Sequence, residues 1–460
     1  MPQTPAALPL APGLAAREVA VELVVAVLER HRSLDDALAV AFARSPAADL
    51  DPRDRGFARH LAATTLRYAR PLERVVAGCL EKPLSEKSRR VGYILLVAAT
   101  QLLLLDTPPH AAISLAVDQT RRAPGGTRLD KLTNAVLRRI AREGRSAFDA
   151  SDPAVAALPD WLWSRWQSAY GPERARALAA ACLEEAALDL SLKTPSEAAT
   201  WAERLSGALL ATGSIRLAPS GRIEDVAGFA EGAWWVQDAA AALPVRLLGP
   251  VDGLNVVDLC AAPGGKTAEL AAAGADVTAV DISPDRLARV RQNLDRLGLN
   301  ASLVTADAGV WRPSAPVDAV LLDAPCTATG TIRRHPDILH LKRDTDLAAL
   351  VDVQAQLLAH AVTMVRPGGS IVYCTCSLEP EEGEQQISRL LAATDTVEPV
   401  PIIPGEAGIA AEWITPSGML RTLPMHRPAI AQTFHREGDG TLPLRDGLDG
   451  FFAARLRRKG

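Results

Sequence analysis

At 460 residues the chain is too long for one ordinary core, and 48% hydrophobic against 23% charged residues describes soluble globular domains rather than a disordered polymer. No apolar run reaches the roughly 18 residues of a membrane helix, and prolines interrupt the opening MPQTPAALPLAPGLAAR where a signal peptide needs an unbroken apolar stretch. Six cysteines are too sparse for a disulfide scaffold, so a soluble protein of the reducing cytoplasm is expected, with residues 1–14 a disordered leader.

Residues 15–145 carry helical periodicity throughout, in stretches such as 19–28, 57–68, 92–105 and 132–140, divided by Pro- or Gly-bearing turns. This predicts a compact all-α bundle. The net charge of the chain is −4, yet Lys and Arg outnumber Asp and Glu between 15 and 145, and the remainder is acidic. Arg53, Arg55, Arg59, Arg67 and Arg70 cluster, as do Arg138, Arg139 and Arg142. Such a module suits a polyanion, although an ordinary solvated helical surface reads the same way. Aromatic residues make up 4%, so a nucleic-acid surface here leans on Arg.

A Ser/Asp/Pro-bearing linker is expected near 146–159, followed by a small α+β domain over 160–250. That domain has an Ala-rich helix around Arg174 and Arg176 and strand-like pieces at Leu188–Leu192 and Trp234–Gln237. From 251 to 460 the pattern becomes strand, turn and helix in alternation. Buried strands read as LNVVDL (254–259), DVTAVD (276–281), SLVTAD (302–307), VDAVLLD (317–323) and SIVYCT (370–375), with helices at 285–297 and 346–365. This predicts an α/β, mostly parallel, doubly wound sheet, which binds ligands at the carboxyl ends of its strands.

The unusual residues fall at those ends. Cys260-Ala261-Ala262-Pro263-Gly264-Gly265-Lys266 follows the first strand, where small residues let a ligand approach the backbone and a helix N-terminus offers free N–H groups. The loop is neither GxGxxG nor GxxxxGK[ST], which disfavours a dinucleotide and a triphosphate. Asp281 ends the next strand, placed to bond a ribose diol or to cap a helix, and Asp307 ends the third, placed to meet a purine. Asp323-Ala324-Pro325-Cys326 follows the fourth strand and Thr375-Cys376-Ser377 the fifth, so two thiols should share one rim. No spacing supplies four zinc ligands, and no metal is expected.

The motifs DLCAAPGGKT, VDISPDRL, DAPCTATGTIRRHPDI and YCTCSLEPEE, in this order, resemble the Sun/Fmu (RsmB-like) family of ribosomal RNA cytosine-C5 methyltransferases. Residues 15–145, with TPPHAA (107–112) and KLTNAVLRR (131–139), are similar to the NusB-like RNA-binding domain of that family, and GFFAARL (450–456) to its last strand. Two departures stand out. Ser191 and Lys193 occupy the strand where the family often has Arg and Asn, and the segment from about 397 to 445 has no clear counterpart. Cys374 is an extra thiol, read as core.

The resemblance implies a Rossmann-like domain that takes S-adenosyl-L-methionine on residues 260–266, Asp281, Asp307 and Asp323. It makes Cys376 the nucleophile toward the cytosine ring, Asp323 the group at the base edge, and Cys326 a participant in product release, with Lys266 in support. The implied partner is ribosomal RNA of the small subunit, met by a monomer that binds no membrane. Two other readings remain. A DNA cytosine methyltransferase uses a Pro-Cys nucleophile like Pro325-Cys326, and a non-catalytic RNA-binding factor could be built on the helical module alone.

Overall fold

The computed structural model describes residues 13–43, 50–126, 128–218, 221–434 and 445–460. The chain divides into two units, one of residues 1–164 with 335–343, the other of 165–334 with 344–460.

The first unit is a helical bundle, with helices at Leu14–Leu28, Leu34–Phe42, Pro52–Arg67, Ala69–Cys79, Arg89–Leu103, Pro109–Arg122 and Asp130–Asp149. The first helix carries apolar residues on every face and is buried along most of its length, as a central element must be. Helix starts follow local chemistry. Ser33 accepts a hydrogen bond from the Asp36 N–H, and Asp51 one from the Asp54 N–H at 2.7 Å, with Pro52 in the first turn.

The sequence reading is corrected in three places here. Residues 1–12 of the expected leader lie outside the described residues, but Leu14 is fully buried and opens the first helix. The linker expected at 146–159 is largely helical, running to Asp149 and again over Pro153–Ala157. Its apolar side chains decide this: Phe148 is buried with its ring 5.9 Å from Tyr68, and Ala156, Ala157 and Leu158 are buried too. Finally, residues 335–343 belong to this unit rather than to the sheet that precedes them. Asp337 accepts from the Leu34 N–H at 3.1 Å, and the His340 ring bonds the Leu66 carbonyl at 2.8 Å.

The described strands of the second unit are, in chain order, β1 Leu188–Leu192, β2 Ala208–Leu210, β3 Ile215–Leu217, β4 Trp234–Val236, β5 Asn255–Leu259, β6 Asp276–Asp281, β7 Ser302–Thr305, β8 Val317–Asp323, β9 Val365–Thr375, β10 Val397–Pro399, β11 Leu420–Thr422, β12 Ile430–Thr433 and β13 Phe451–Arg458. A small antiparallel sheet has the order β12-β2-β3-β1-β4. Its buried Arg216 grips Asp189 in a two-pronged ion pair at 2.7 and 2.8 Å.

The larger sheet has the order β10-β13-β9-β8-β5-β6-β7, with β11 on β13. Strands β7, β6, β5, β8 and β9 are parallel, and β13 runs antiparallel to β9. This is the mostly parallel, doubly wound, Rossmann-like sheet read from the sequence. Both faces are covered by apolar clusters, which is why the central strands read as nearly unbroken apolar runs. Chain order reverses between β5 and β8, so a crevice is expected outside the carboxyl ends of those two strands.

Helix Asp344–Met364 is long and apolar enough, by length and composition, to cross a membrane. It instead packs Leu357, Leu358, Ala361 and Val362 into the core beside β8 and β9. The stretch from residue 397 onward supplies β10 and β11 to the large sheet and β12 to the small one, and so links the two sheets covalently.

Candidate active site

At the carboxyl end of β5 the chain turns sharply through Cys260, whose φ is 62°, and Gly264, whose φ is 99°. A Cβ on Gly264 would lie 2.9 Å from Val290, so the close packing of this loop requires glycine. The Ala261 N–H donates to Val280 O at 3.1 Å and the Gly264 N–H to Ala261 O at 2.8 Å, while the Asn293 amide holds Pro263 O at 3.2 Å. Helix Gly265–Ala272 follows, leaving its first amides open. Cys260 is not poised to react, because burial pushes its thiol up to about 12.

Asp281 ends β6 as expected, and its buried carboxylate accepts from the Ala262 N–H at 3.2 Å and the Ser283 N–H at 3.0 Å. It anchors the loop and the following turn while keeping lone pairs for a ligand. Asp307 is exposed just past β7, one of its oxygens accepting from the Gly309 N–H at 2.8 Å. Sequence reasoning missed two neighbours, Ile282 at 67% exposure and Val310 at 75%. Carboxylates at two strand ends, each beside an exposed aliphatic side chain, fit a ligand with a diol and a flat apolar ring. These are the parts of an adenosyl group.

At the end of β8, Asp323 meets Lys266 at 2.8 Å, and the ammonium sits 4.9 Å from the centre of the Phe451 ring. Burial works against the charge of Lys266, but Asp323 outweighs it and holds the amine above its ordinary range. Cys374 lies 3.6 Å from the other Asp323 oxygen, and burial pushes its thiol well up. Packed in the core, it matches the structural reading of the extra thiol.

The two remaining thiols come together. Cys326 and Cys376, both half-buried, stand with sulfurs 3.5 Å apart at the ends of the neighbouring strands β8 and β9. Their mutual hydrogen bond, then burial, pushes the Cys326 thiol well above its ordinary range. Close backbone approach seals this rim. The Gly450 N–H donates to Gly330 O at 2.8 Å, a Cβ on Gly330 would lie 1.9 Å from Gly450 O, and the Gly330 N–H donates to Cys376 O at 2.9 Å. Behind Cys326 lies a cluster that the sequence did not reveal. Buried Glu382 accepts from the Thr327 N–H and from Gln354. Within the run Glu379-Pro380-Glu381-Glu382 nothing distinguishes the two buried acids, Glu379 and Glu382, from half-exposed Glu381.

Other expected contacts shift. Lys193 donates to Leu297 O at 2.6 Å and Ser191 is buried, so both serve the fold. In the helical unit Arg67 is buried and Arg70 donates to Leu158 O, while Arg53 and Arg59 are exposed. Cavities of about 670 and 710 Å³ open in that unit, and none of the site residues above lines them. Among the described residues no three His, Cys, Asp or Glu side chains gather as metal ligands.

The sequence profile of the family described as 16S rRNA methyltransferase RsmB/F matches residues 245–457, and that of the NusB family residues 14–142. Ribosomal RNA small subunit methyltransferase B of Salmonella arizonae is 36% identical over 82% of this chain and 90% of its own. The chain belongs to the RsmB/F family. Ribosomal RNA small subunit methyltransferase B of Vibrio vulnificus is 35% identical over 85% of this chain and 96% of its own. Among solved structures, PH0851 covers 98% of this chain and 99% of its own with a TM-score of 0.68 at 21% identity, a likeness of fold. A methyltransferase homolog protein from Pyrococcus horikoshii covers 70% and 97% with a TM-score of 0.51 at 27% identity. Family membership makes this chain a methyltransferase of small-subunit ribosomal RNA whose methyl donor is S-adenosylmethionine.

Proposed function

We propose that the chain methylates carbon 5 of one cytosine in small-subunit ribosomal RNA, in the cytoplasm and as a monomer, through a covalent bond from Cys376 to the ring. The observation that carries this reading is the pair of half-buried sulfurs 3.5 Å apart, at the rim that also holds the Lys266–Asp323 pair. Carbon 5 of cytosine is too weak a nucleophile to attack a methyl sulfonium unaided. Addition of the Cys376 thiolate to carbon 6 moves electron density to carbon 5 and overcomes this. Asp323 holds or protonates the base edge at N3, giving up a proton as negative charge develops there, and Lys266 keeps positive charge beside it. The bound donor supplies an electrophilic methyl group. Loss of the carbon 5 proton then lets the ring expel Cys376 as thiolate, and Cys326 assists that release. The carboxylates Asp281 and Asp307, with Ile282 and Val310 beside them, hold the adenosyl portion on the loop of residues 260–266. Attack on the ring face requires an unpaired or flipped-out base.

The thiols separate this reading from its rivals. Cys376→Ser should abolish both methylation and any covalent RNA complex, whereas Cys326→Ala should still methylate the base but stall on release. The Cys326 variant then shows a slow, ribonuclease-sensitive band on a denaturing gel. A band trapped by the Cys376 variant instead would reverse the roles, as the DNA-enzyme reading requires. No band from either variant, with activity largely kept, would make both thiols structural. Bisulfite sequencing of total RNA with and without the gene identifies the base.

A further inference from the structure

Glu382 has no part in the reaction as proposed, yet it is the most completely engaged carboxylate near the thiols. One oxygen accepts from the Thr327 N–H at 2.9 Å and from Gln354 Nε2 at 2.8 Å. The other accepts from the Thr327 N–H at 3.2 Å and from the Thr327 hydroxyl. Gln354 Nε2 also donates to Pro325 O at 2.8 Å, so it bridges the carboxylate to the residue before Cys326. Gln354 is itself held through its Oε1, which accepts from Gln386 at 3.2 Å. The Glu382 backbone carbonyl accepts from the Tyr373 hydroxyl at 2.8 Å and from Thr375 at 3.3 Å, tying it to the strand that delivers Cys376. Glu382, Gln354, Thr327 and Thr375 are all fully buried. Every hydrogen-bond partner of the carboxylate is a donor, the buried Glu379 lies near enough to repel it, and no cation neutralises it among the ion pairs of the described residues. A buried negative charge without a counter-ion is costly.

We propose that Glu382 is a positioning residue which, with Gln354, fixes the Pro325–Cys326–Thr327 turn so that the Cys326 thiol stands against Cys376 for the release step. It grips the residues on both sides of Cys326, one directly and one through Gln354, and leaves the sulfur itself free. Its charge also adds to what opposes ionisation of Cys326, after the hydrogen bond to Cys376, burial and the Cys376 sulfur, with Asp323 acting in the same direction. This inference rests on the release role of Cys326.

The test uses the full-length protein with Glu382→Gln, Gln354→Ala, Cys326→Ala and the double variant Glu382→Gln/Cys326→Ala. Glu382→Gln should leave affinity for S-adenosylmethionine unchanged by calorimetry and lower multiple turnover roughly 10- to 100-fold, since an amide cannot satisfy all the buried donors. It should accumulate ribonuclease-sensitive covalent complex, and the double variant should be no slower than Cys326→Ala alone. Gln354→Ala should shift the same way by less. In a Cys376→Ser background, Glu382→Gln should lower the pH at which Cys326 is alkylated, which mere loss of packing does not do. Multiplicative losses in the double variant, an unmoved alkylation profile, or loss of donor binding together with a lower melting temperature would each overturn the positioning role. If Cys326→Ala itself traps no complex, the release reading fails. The double-variant comparison and the alkylation profile still decide whether Glu382 acts through Cys326.

Discussion

The two units differ in how much of their charge they bury. In the helical bundle, ion pairs such as Arg30–Glu22 at 2.6 Å and Arg145–Asp149 at 2.9 Å lie on well-exposed side chains, where water and salt screen them. The α/β unit has exposed pairs too, such as Arg389–Asp352, but takes several charges inside. Lys266 pairs with Asp323, Arg421 with Glu384 at 2.6 Å, and Arg334 bridges Asp238 and Asp449 at 2.5 and 2.8 Å. Buried pairs add little net stability over apolar replacements, but they fix where a group stands, because leaving one partner alone is costly. The bundle thus keeps these pairs at a solvated surface, whereas the α/β unit uses some of its pairs to fix side chains at the rim.

After Cys376→Ser, which should abolish methylation, the strongest way to break this contrast is at Lys266. Lys266→Met strands Asp323 and should cost on the order of 2–4 kcal/mol, with loss of methylation. Melting temperature and turnover check it together, and an unchanged protein would mean the pair positions nothing. Next comes Asp281→Ala, which should weaken S-adenosylmethionine binding by about 1.5–3 kcal/mol for each charge-assisted hydrogen bond lost. Calorimetry measures this, and preferred binding of NADH or ATP would overturn the cofactor assignment.

A subtler distinction is pH. Burial pushes Asp258 up to about 7, although Thr267 donates to it at 2.6 Å. A carboxyl raised in the folded state binds its proton there between pH 3.8 and about 7 while the unfolded chain has lost it. Stability therefore falls as pH rises across that window and stays lowered above it. Asp258→Asn should flatten this slope in a series of melting curves, and an unchanged slope would count against burial as the cause. The smallest effect belongs to the bundle. Arg53→Ala with Arg59→Ala should change stability by no more than about 0.5 kcal/mol each, yet flatten the salt dependence of RNA binding, because each lost phosphate contact releases fewer counterions. An unchanged salt slope would remove these two arginines from the RNA surface.

Much of this molecule was legible before any coordinates. Strands β1, β6 and β8 fall on the residues read from the pattern, and β4, β5, β7, β9 and β13 differ only at their ends, because apolar runs between turns leave little choice, whereas β2, β3, β10, β11 and β12 were not read. The loop at 260–266 and the strand-end acids could be read because backbone demands such as the left-handed Gly264 are local. What the sequence by itself determined was therefore the alternation of elements, the two kinds of module and the rim where unusual residues gather.

Tertiary structure decided the rest. The supposed linker became helix because Phe148 found an apolar partner distant in sequence, and residues 335–343 left the sheet's unit because Asp337 and His340 found theirs near Leu34 and Leu66. Strands β10, β11 and β12 found their places only through pairing with β13 and β2, which no local signal encodes. Burial separated Glu379 and Glu382 from Glu381, although all three are written alike. Cys326 and Cys376 meet at 3.5 Å because β8 and β9 are neighbours in the sheet. Local pattern sets each residue's conformation, whereas burial and sulfur–sulfur distance depend on segments far apart in the chain, and only packing brings those together.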